Sequence, residues 1–246
     1  MDNSQKSWFD KWFDTPYYHI LYSQRDENEA EFFMNNLAKL LNFDPKDNIL
    51  DLACGKGRHA IYLNSKGLEV TGVDLSENSI SYASQFANEK LHFARHDMRE
   101  VYQAKQFNYV LNMFTSFGYF DTEQENQIAI SAIAENLKTG GKLVMDFFNS
   151  TKVINTLVEY EQKTLENITF TITRKLSNNF IIKDIAFFAD QQNFNFHEKV
   201  QAISFNQFEK YFANANLKII NTFGGYDLTD FDMYKSDRMI FIAEKF

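Results

Sequence analysis

The segment Ile49-Leu50-Asp51-Leu52-Ala53-Cys54-Gly55-Lys56-Gly57-Arg58-His59-Ala60 constrains this chain more than any other. A short apolar run, two glycines one residue apart and a helix-compatible stretch follow one another directly. Glycine lets the backbone turn sharply and lets a ligand approach where a Cβ would stand in the way. A strand–loop–helix unit of this kind belongs to open α/β sheets, whose ligands sit at the carboxyl ends of the strands.

The neighbouring sequence repeats the unit. Phe33, Met34, Leu37, Ala38 and Leu41 share one helical face, and Asp44-Pro45 ends it. Strands are expected at residues 68–73, 91–94, 107–114 and 142–148, the first ending beside Asp74 and the second just before Asp97. Ser76 is placed to cap one intervening helix. Asp121 with Gln124 reads as the capping box of another, which carries Ile130, Ile133, Ala134 and Leu137 on one face. Strands alternating with helices predict right-handed crossovers and a doubly wound, mostly parallel sheet.

From Thr151 the rhythm changes. Ile168, Phe170 and Ile172 alternate with threonines, Phe194 and Phe196 with asparagines, and Asn178-Asn179 and residues 190–193 read as turns. Residues 151–203 are therefore expected to form a small antiparallel β lobe inserted into an α/β core of residues 1–150, on the acceptor side or at an oligomer contact. Residues 204–246 return to the core sheet. There Ser204 and Gln207 form a capping box, and two last strands follow at 217–223 and 239–243.

Composition excludes several classes. The 246 residues are 44% hydrophobic and carry a formal net charge of −8, so the chain can bury a sizeable core and has no general attraction for phosphate backbones or anionic lipid. One cysteine, Cys54, rules out an internal disulfide and a four-cysteine metal site. No metal is expected. With no apolar run of membrane-spanning length and no apolar signal core in residues 1–14, which carry Trp8, Trp12 and Phe13, a soluble cytoplasmic protein is expected.

Gly55, Gly57 and Ala60 fit a dinucleotide fingerprint, and Asp74 lies near its ribose-binding position. Asp51 argues otherwise: four residues before Gly55 it would oppose a pyrophosphate, but it would suit a cationic amine. Here the sequence resembles the class I S-adenosylmethionine-dependent methyltransferases. Residues 51–57 look like their first motif, Gly72-Val73-Asp74-Leu75-Ser76 like the end of their second strand, His96-Asp97-Met98-Arg99 like their adenine-side segment, and Thr139-Gly140-Gly141-Lys142-Leu143 like the turn into their fifth strand. The aromatic stretch from Trp12 to Tyr22 and Ser116-Phe117-Gly118-Tyr119-Phe120 further resemble small-molecule members with an inserted β lobe.

The resemblance implies a Rossmann-like sheet of about seven strands with an antiparallel last strand, and S-adenosylmethionine as cofactor. Ala53, Gly55 and Gly57 would pack against its methionine part, with Asp51 near the ammonium. Asp74 would accept from the ribose hydroxyls. Leu75 and Met98 would sandwich adenine, and Asp97 would accept from its exocyclic amine. Asn112 would lie near the transferring methyl. Cys54, Arg58 and Met113 belong to the same segments, and Tyr18 and Tyr22 would close over the cofactor.

Methyl transfer from a sulfonium rests mainly on holding the acceptor in line and excluding water, so no catalytic residue is obligatory. Tyr119, His19 and His197 are the candidates for a base. The segment after the fourth strand, Asn112-Met113-Phe114-Thr115, lacks the proline-containing motif of amino-methylating nucleic-acid enzymes, and no cysteine stands there for cytosine chemistry. A small-molecule acceptor follows, with neither nucleic acid nor membrane as partner. Its pocket is expected among Phe117, Tyr119, Phe120, Phe148 and Asn149, with Arg174, Tyr226 and Arg238 giving polar or anion-binding contacts. A homodimer through the exposed lobe is open. A nicotinamide-dependent oxidoreductase and a non-catalytic S-adenosylmethionine-binding protein are the alternatives.

Overall fold

The computed structural model describes residues 12–13, 15–23 and 27–246, without the side chains of His19 and Glu27. Trp8 and the His19 imidazole therefore lie outside the described residues. The elements in chain order are α1 (Pro16–Leu21), α2 (Glu27–Leu41), β1 (Asn48–Leu52), α3 (Arg58–Ser65), β2 (Glu69–Asp74), α4 (Glu77–Ala83), β3 (Leu91–Arg95), β4 (Phe107–Asn112), α5 (Glu123–Asn136) and β5 (Leu137–Phe148). Then come α6 (Ser150–Asn155), the four strands β6 (Tyr160–Leu165), β7 (Ile168–Ser177), β8 (Phe180–Ala189) and β9 (Gln192–Gln201), and finally α7 (Phe205–Asn214), β10 (Leu217–Phe223) and β11 (Arg238–Lys245).

Seven strands form one sheet in the order β10-β11-β5-β4-β1-β2-β3. β1 to β5 run parallel, and β11 pairs antiparallel with both β5 and β10. This is the expected doubly wound sheet with its antiparallel last strand. Alternation along each strand sends side chains to opposite faces. Val110, Met145, Phe147 and Phe241 pack with Ile130, Ile133, Phe208 and Phe212 of α5 and α7 on one face. Leu111, Val144, Ile240 and Ile242 pack with Phe33, Met34, Leu37 and Leu63 of α2 and α3 on the other.

β6 to β9 form a second, antiparallel sheet in sequence order, with turns at Glu166-Asn167, Asn178-Asn179 and Asp190-Gln191, all at positive φ. Its inner face carries Phe170, Ile172, Ile185 and Phe187, which close a third cluster with Trp12, Tyr17 and Leu21 from the amino-terminal segment. Thus the lobe and α1 share a core of their own.

Several boundaries differ from expectation. α5 is capped by Thr122, whose side chain accepts from Glu125 N–H, rather than by Asp121 with Gln124. β5 begins at Leu137, before the glycine pair, because Gly140 at φ +76° bends the strand without ending it. The Ser204–Gln207 capping box of α7 and the Ser76 cap of α4 form as expected. Among the described residues no helix is long and apolar enough to cross a membrane.

Candidate active site

The carboxyl ends of β1, β2, β3 and β4 open into a cleft of about 1580 Å³, roofed by α1 and by the near end of the β lobe. A single small-molecule pocket holds roughly 300–1,000 Å³, so this one has room for two molecules side by side.

One end is built by the glycine loop. Ala53, Gly55 and Gly57 all take positive φ, and Cys54 N–H donates to Val73 O at 3.0 Å, tying the loop to β2. Gly57 is the left-handed N-cap of α3. A Cβ on it would lie 2.8 Å from the Phe93 ring, and one on Gly72 would lie 2.6 Å from that ring and 3.0 Å from Cys54 Sγ. The two glycines therefore let β1, β2 and β3 close up beneath the loop.

Asp74, at the end of β2, accepts from Gly55 N–H at 2.8 Å through one oxygen and from Ser76 N–H at 2.8 Å through the other. The carboxylate lines the cleft. Leu75, Met98 and Asp97 line the same end. Arg99 pairs with Asp97 through Nη2 at 2.6 Å and with Glu125 through Nη1 at 3.0 Å. Burial alone would raise the Asp97 carboxyl; the hydrogen bonds from Arg99 outweigh it and hold the pKa below its ordinary value.

Among the described residues, three buried polar atoms near the loop have no hydrogen-bond partner: Asp51 Oδ2, His59 Nε2 and Asn112 Oδ1. Burial pushes Asp51 up to about 7, against a hydrogen bond from Ala60 and with Asp74 adding to the rise. Burial and the Arg58 charge push His59 down to about 3. Burial, with Asp51 and Asp74 nearby, also raises the Cys54 thiol well above its ordinary value, so this cysteine is no ready nucleophile. A loop flanked by the carboxyls of Asp51 and Asp74 fits a ligand that brings positive charge, and it fits a pyrophosphate poorly.

The other end is aromatic. Phe13, Tyr18, Tyr22, Tyr119, Phe120 and Phe148 line it, with Arg174, Lys183 and Glu198 from the lobe. Glu198 Oε1 accepts from Trp12 Nε1 at 2.6 Å and from Tyr22 Oη at 2.7 Å, and Lys183 donates to Tyr22 Oη. The Tyr119 hydroxyl donates to Thr115 O at 2.7 Å.

Of the residues singled out from sequence, Tyr18, Tyr22, Ala53, Cys54, Gly55, Arg58, Asp74, Leu75, Asp97, Met98, Met113, Tyr119, Phe120, Phe148, Arg174 and Arg238 line the cleft. Asp51, Gly57 and Asn112 lie behind its wall, and Asn112 Nδ2 is committed to Leu52 O at 3.1 Å. Phe117 is fully buried against Phe120 and Phe208. Asn149 caps α6 and donates to Met233 O and Ser236 O, which makes it a latch for the last loop. His197 pairs with Asp184 at 2.6 Å on the outer face of β9, opposite to Glu198, so it is not brought to the cleft.

Tyr226 and Arg238 do not wait for an acceptor's anion. Both bind Asp146, a fully buried carboxylate on β5 that sequence reasoning missed. Arg174 likewise holds Glu161 at 2.6 Å. Glu198 was missed as well; its alternation with Phe194 and Phe196 along β9 was the available signal.

The fold is that of the class I methyltransferases. Residues 49–141 match the family model of a methyltransferase domain. Residues 49–141 thus carry a methyltransferase domain, set in a chain whose fold matches that of S-adenosylmethionine-dependent methyltransferases. It is 38% identical over 111 residues to a putative methyltransferase, YqeM, of Bacillus subtilis, covering 44% of this chain and 45% of that protein. Over 100 residues it is 33% identical to the dTDP-3-amino-3,4,6-trideoxy-alpha-D-glucopyranose N,N-dimethyltransferase of Streptomyces venezuelae, covering 40% and 41%. Human glycine N-methyltransferase is 28% identical over 126 residues, covering 44% and 43%. The chain spans about half the length of the curated relatives it matches. Among solved structures, an S-adenosylmethionine-dependent methyltransferase of Clostridium acetobutylicum superposes with a TM-score of 0.80 at 20% identity, over 93% of this chain and 96% of that one. Streptomyces venezuelae DesVI superposes with a TM-score of 0.72 at 22% identity, over 93% and 97%. The domain match favours the methyltransferase reading over the nicotinamide-dependent alternative.

Proposed function

We propose that the protein transfers a methyl group from S-adenosylmethionine to a small-molecule amine by in-line displacement. The observation that carries this is the two-part cleft: an acid-lined end beside the glycine loop and an aromatic end beyond the fourth strand, within one volume of about 1580 Å³. Two of the similar proteins are named for N-methylation of small molecules, an amino sugar and glycine, which supports a nitrogen acceptor.

S-adenosylmethionine supplies an electrophilic methyl on a good leaving group. Around it Asp74 would accept from the ribose hydroxyls, and Leu75 and Met98 would flank the adenine. Asp51 would offset the cofactor's positive charge from behind the loop. Tyr18, Tyr22 and Tyr119 would exclude water from the junction between the two ends, which is where orientation accelerates the transfer. An amine reaches the cleft protonated and must lose a proton before it can attack. Glu198, lining the acceptor end, is the carboxylate placed to take that proton, with its Oε2 3.0 Å from the Tyr22 hydroxyl and 3.5 Å from Lys183 Nζ.

The test is label transfer from methyl-tritiated S-adenosylmethionine to a panel of small amines and amino sugars. Label in a low-molecular-weight product supports the reading; label only in protein or nucleic acid, or none with any amine, contradicts it.

A further inference from the structure

We propose that Arg99 is a positioning residue that makes this cleft selective for a base bearing an exocyclic amine, by clamping Asp97 as a pure hydrogen-bond acceptor. The proposal rests on the reading that the Asp74 end of the cleft takes the cofactor's nucleoside.

The geometry is specific. Arg99 Nε lies 3.1 Å from Asp97 Oδ1 and Nη2 lies 2.6 Å from Oδ2, so the guanidinium forks across both carboxylate oxygens. The Arg99 backbone N–H adds a third bond to Oδ1 at 2.9 Å. A planar fork of this kind fixes the plane of its carboxylate, which a lysine cannot do. The clamp is itself clamped. Nη1 donates to Glu125 on α5 at 3.0 Å, Glu125 Oε2 accepts from Thr122 Oγ1 at 3.0 Å, and the guanidinium lies 5.2 Å from the centre of the Phe120 ring. Asp97 therefore takes its orientation from the start of α5 as well as from its own turn.

The consequence is chemical. An ionised carboxylate offers lone pairs only, and Asp97 lines the cleft. Such a group accepts from the amine of adenine and has no proton to give to the carbonyl that replaces that amine in hypoxanthine. Without the fork, Asp97 loses the hydrogen bonds that fix its plane, so its acceptor oxygens are no longer held toward that amine. Arg99 touches no reacting atom; it acts through Asp97.

The experiment is calorimetric titration of the full chain with S-adenosylhomocysteine and with S-inosylhomocysteine, its deaminated counterpart. The ratio of the two affinities is the readout, because a loss of packing would weaken both ligands alike. Wild type is expected to favour the adenosyl ligand, and Arg99→Met to reduce that preference by roughly tenfold or more, the scale of one hydrogen bond to a charged group. Arg99→Lys, which keeps the charge without the fork, is expected to fall between and serves alone should Arg99→Met not fold. A variant that keeps the wild-type ratio, or loses both affinities by one factor, overturns the proposal. Failure of wild type to bind S-adenosylhomocysteine at all would instead overturn the cofactor reading beneath it.

Discussion

Arg238 on β11 donates a hydrogen bond of 2.7 Å from Nε to one oxygen of the buried Asp146 carboxylate on β5, and its Nη2 stands 2.7 Å from the same oxygen as an ion pair. The other oxygen accepts from Phe114 N–H at 2.8 Å and from the Tyr226 hydroxyl at 3.2 Å, and Arg238 also donates to Thr115 Oγ1 at 3.0 Å. Phe114 and Thr115 both take positive φ, a costly backbone for residues with side chains. The ion pair thus holds in place the loop that brings Met113, Ser116 and Tyr119 to the cleft.

Removing one partner strands the other. With Asp146 at 0% and Arg238 at 16% side-chain exposure, Arg238→Met should cost about 3–5 kcal/mol in urea unfolding, the range for breaking a buried pair. Adding Asp146→Asn should then cost less than the sum of the two single changes. Strict additivity would show that the two side chains act independently.

Asp74→Ala should weaken S-adenosylmethionine binding by about 1.5–3 kcal/mol, the worth of hydrogen bonds to a charged group. The same change releases Gly55 N–H and Ser76 N–H, so the thermal midpoint should fall as well. Unchanged affinity by titration calorimetry would place the ribose elsewhere.

Asp51 imposes a pH dependence whose sign is fixed. Its folded pKa of about 7 lies above the ordinary carboxyl value of 3.8, so the folded state holds a proton that the unfolded state has released. Stability is therefore lost as pH rises from about 4 to about 7, by up to on the order of 4 kcal/mol at 1.36 kcal/mol per unit. His59, neutral when folded with a pKa of about 3, works the other way and loses stability as pH falls below 6.5. Asp51→Asn isolates the first effect: relative to wild type it should be more stable at pH 8 than at pH 5. An equal difference at both pH values would contradict the buried carboxyl.

Gly72→Ala should destabilise by about 1–3 kcal/mol through overpacking, since the new methyl would stand 2.6 Å from the Phe93 ring. Phe93→Leu in the same chain should recover part of that loss. If the second change only adds to the first, the contact with Phe93 is not the reason for glycine at this position.

How much of this could be read from the sequence follows from how local each feature is. The glycine loop, Asp74 and the Ser204–Gln207 capping box are set by neighbours within a few residues, and each forms where expected. Thr122 rather than Asp121 caps α5, because both residue types cap well and only the packing of Ile130 and Ile133 fixes the phase of the helix. β6, with Glu161, Gln162, Lys163 and Thr164, shows no apolar alternation, since its partner β7 carries the buried side chains. The Asp146–Arg238 pair was illegible for a different reason: 92 positions separate the two residues, and only the antiparallel placement of β11 beside β5 joins them. Phe117 and Phe120 look alike in sequence, yet one is in the core and the other lines the cleft.

The most direct test of the central claim is a crystal structure of the protein with S-adenosylhomocysteine. The account predicts the ligand in the cleft, with its ribose hydroxyls within hydrogen-bond distance of Asp74, its base between Leu75 and Met98, and its sulfur facing the aromatic end. A ligand bound elsewhere, or an Asp74 carboxylate turned away from the ribose, would contradict it.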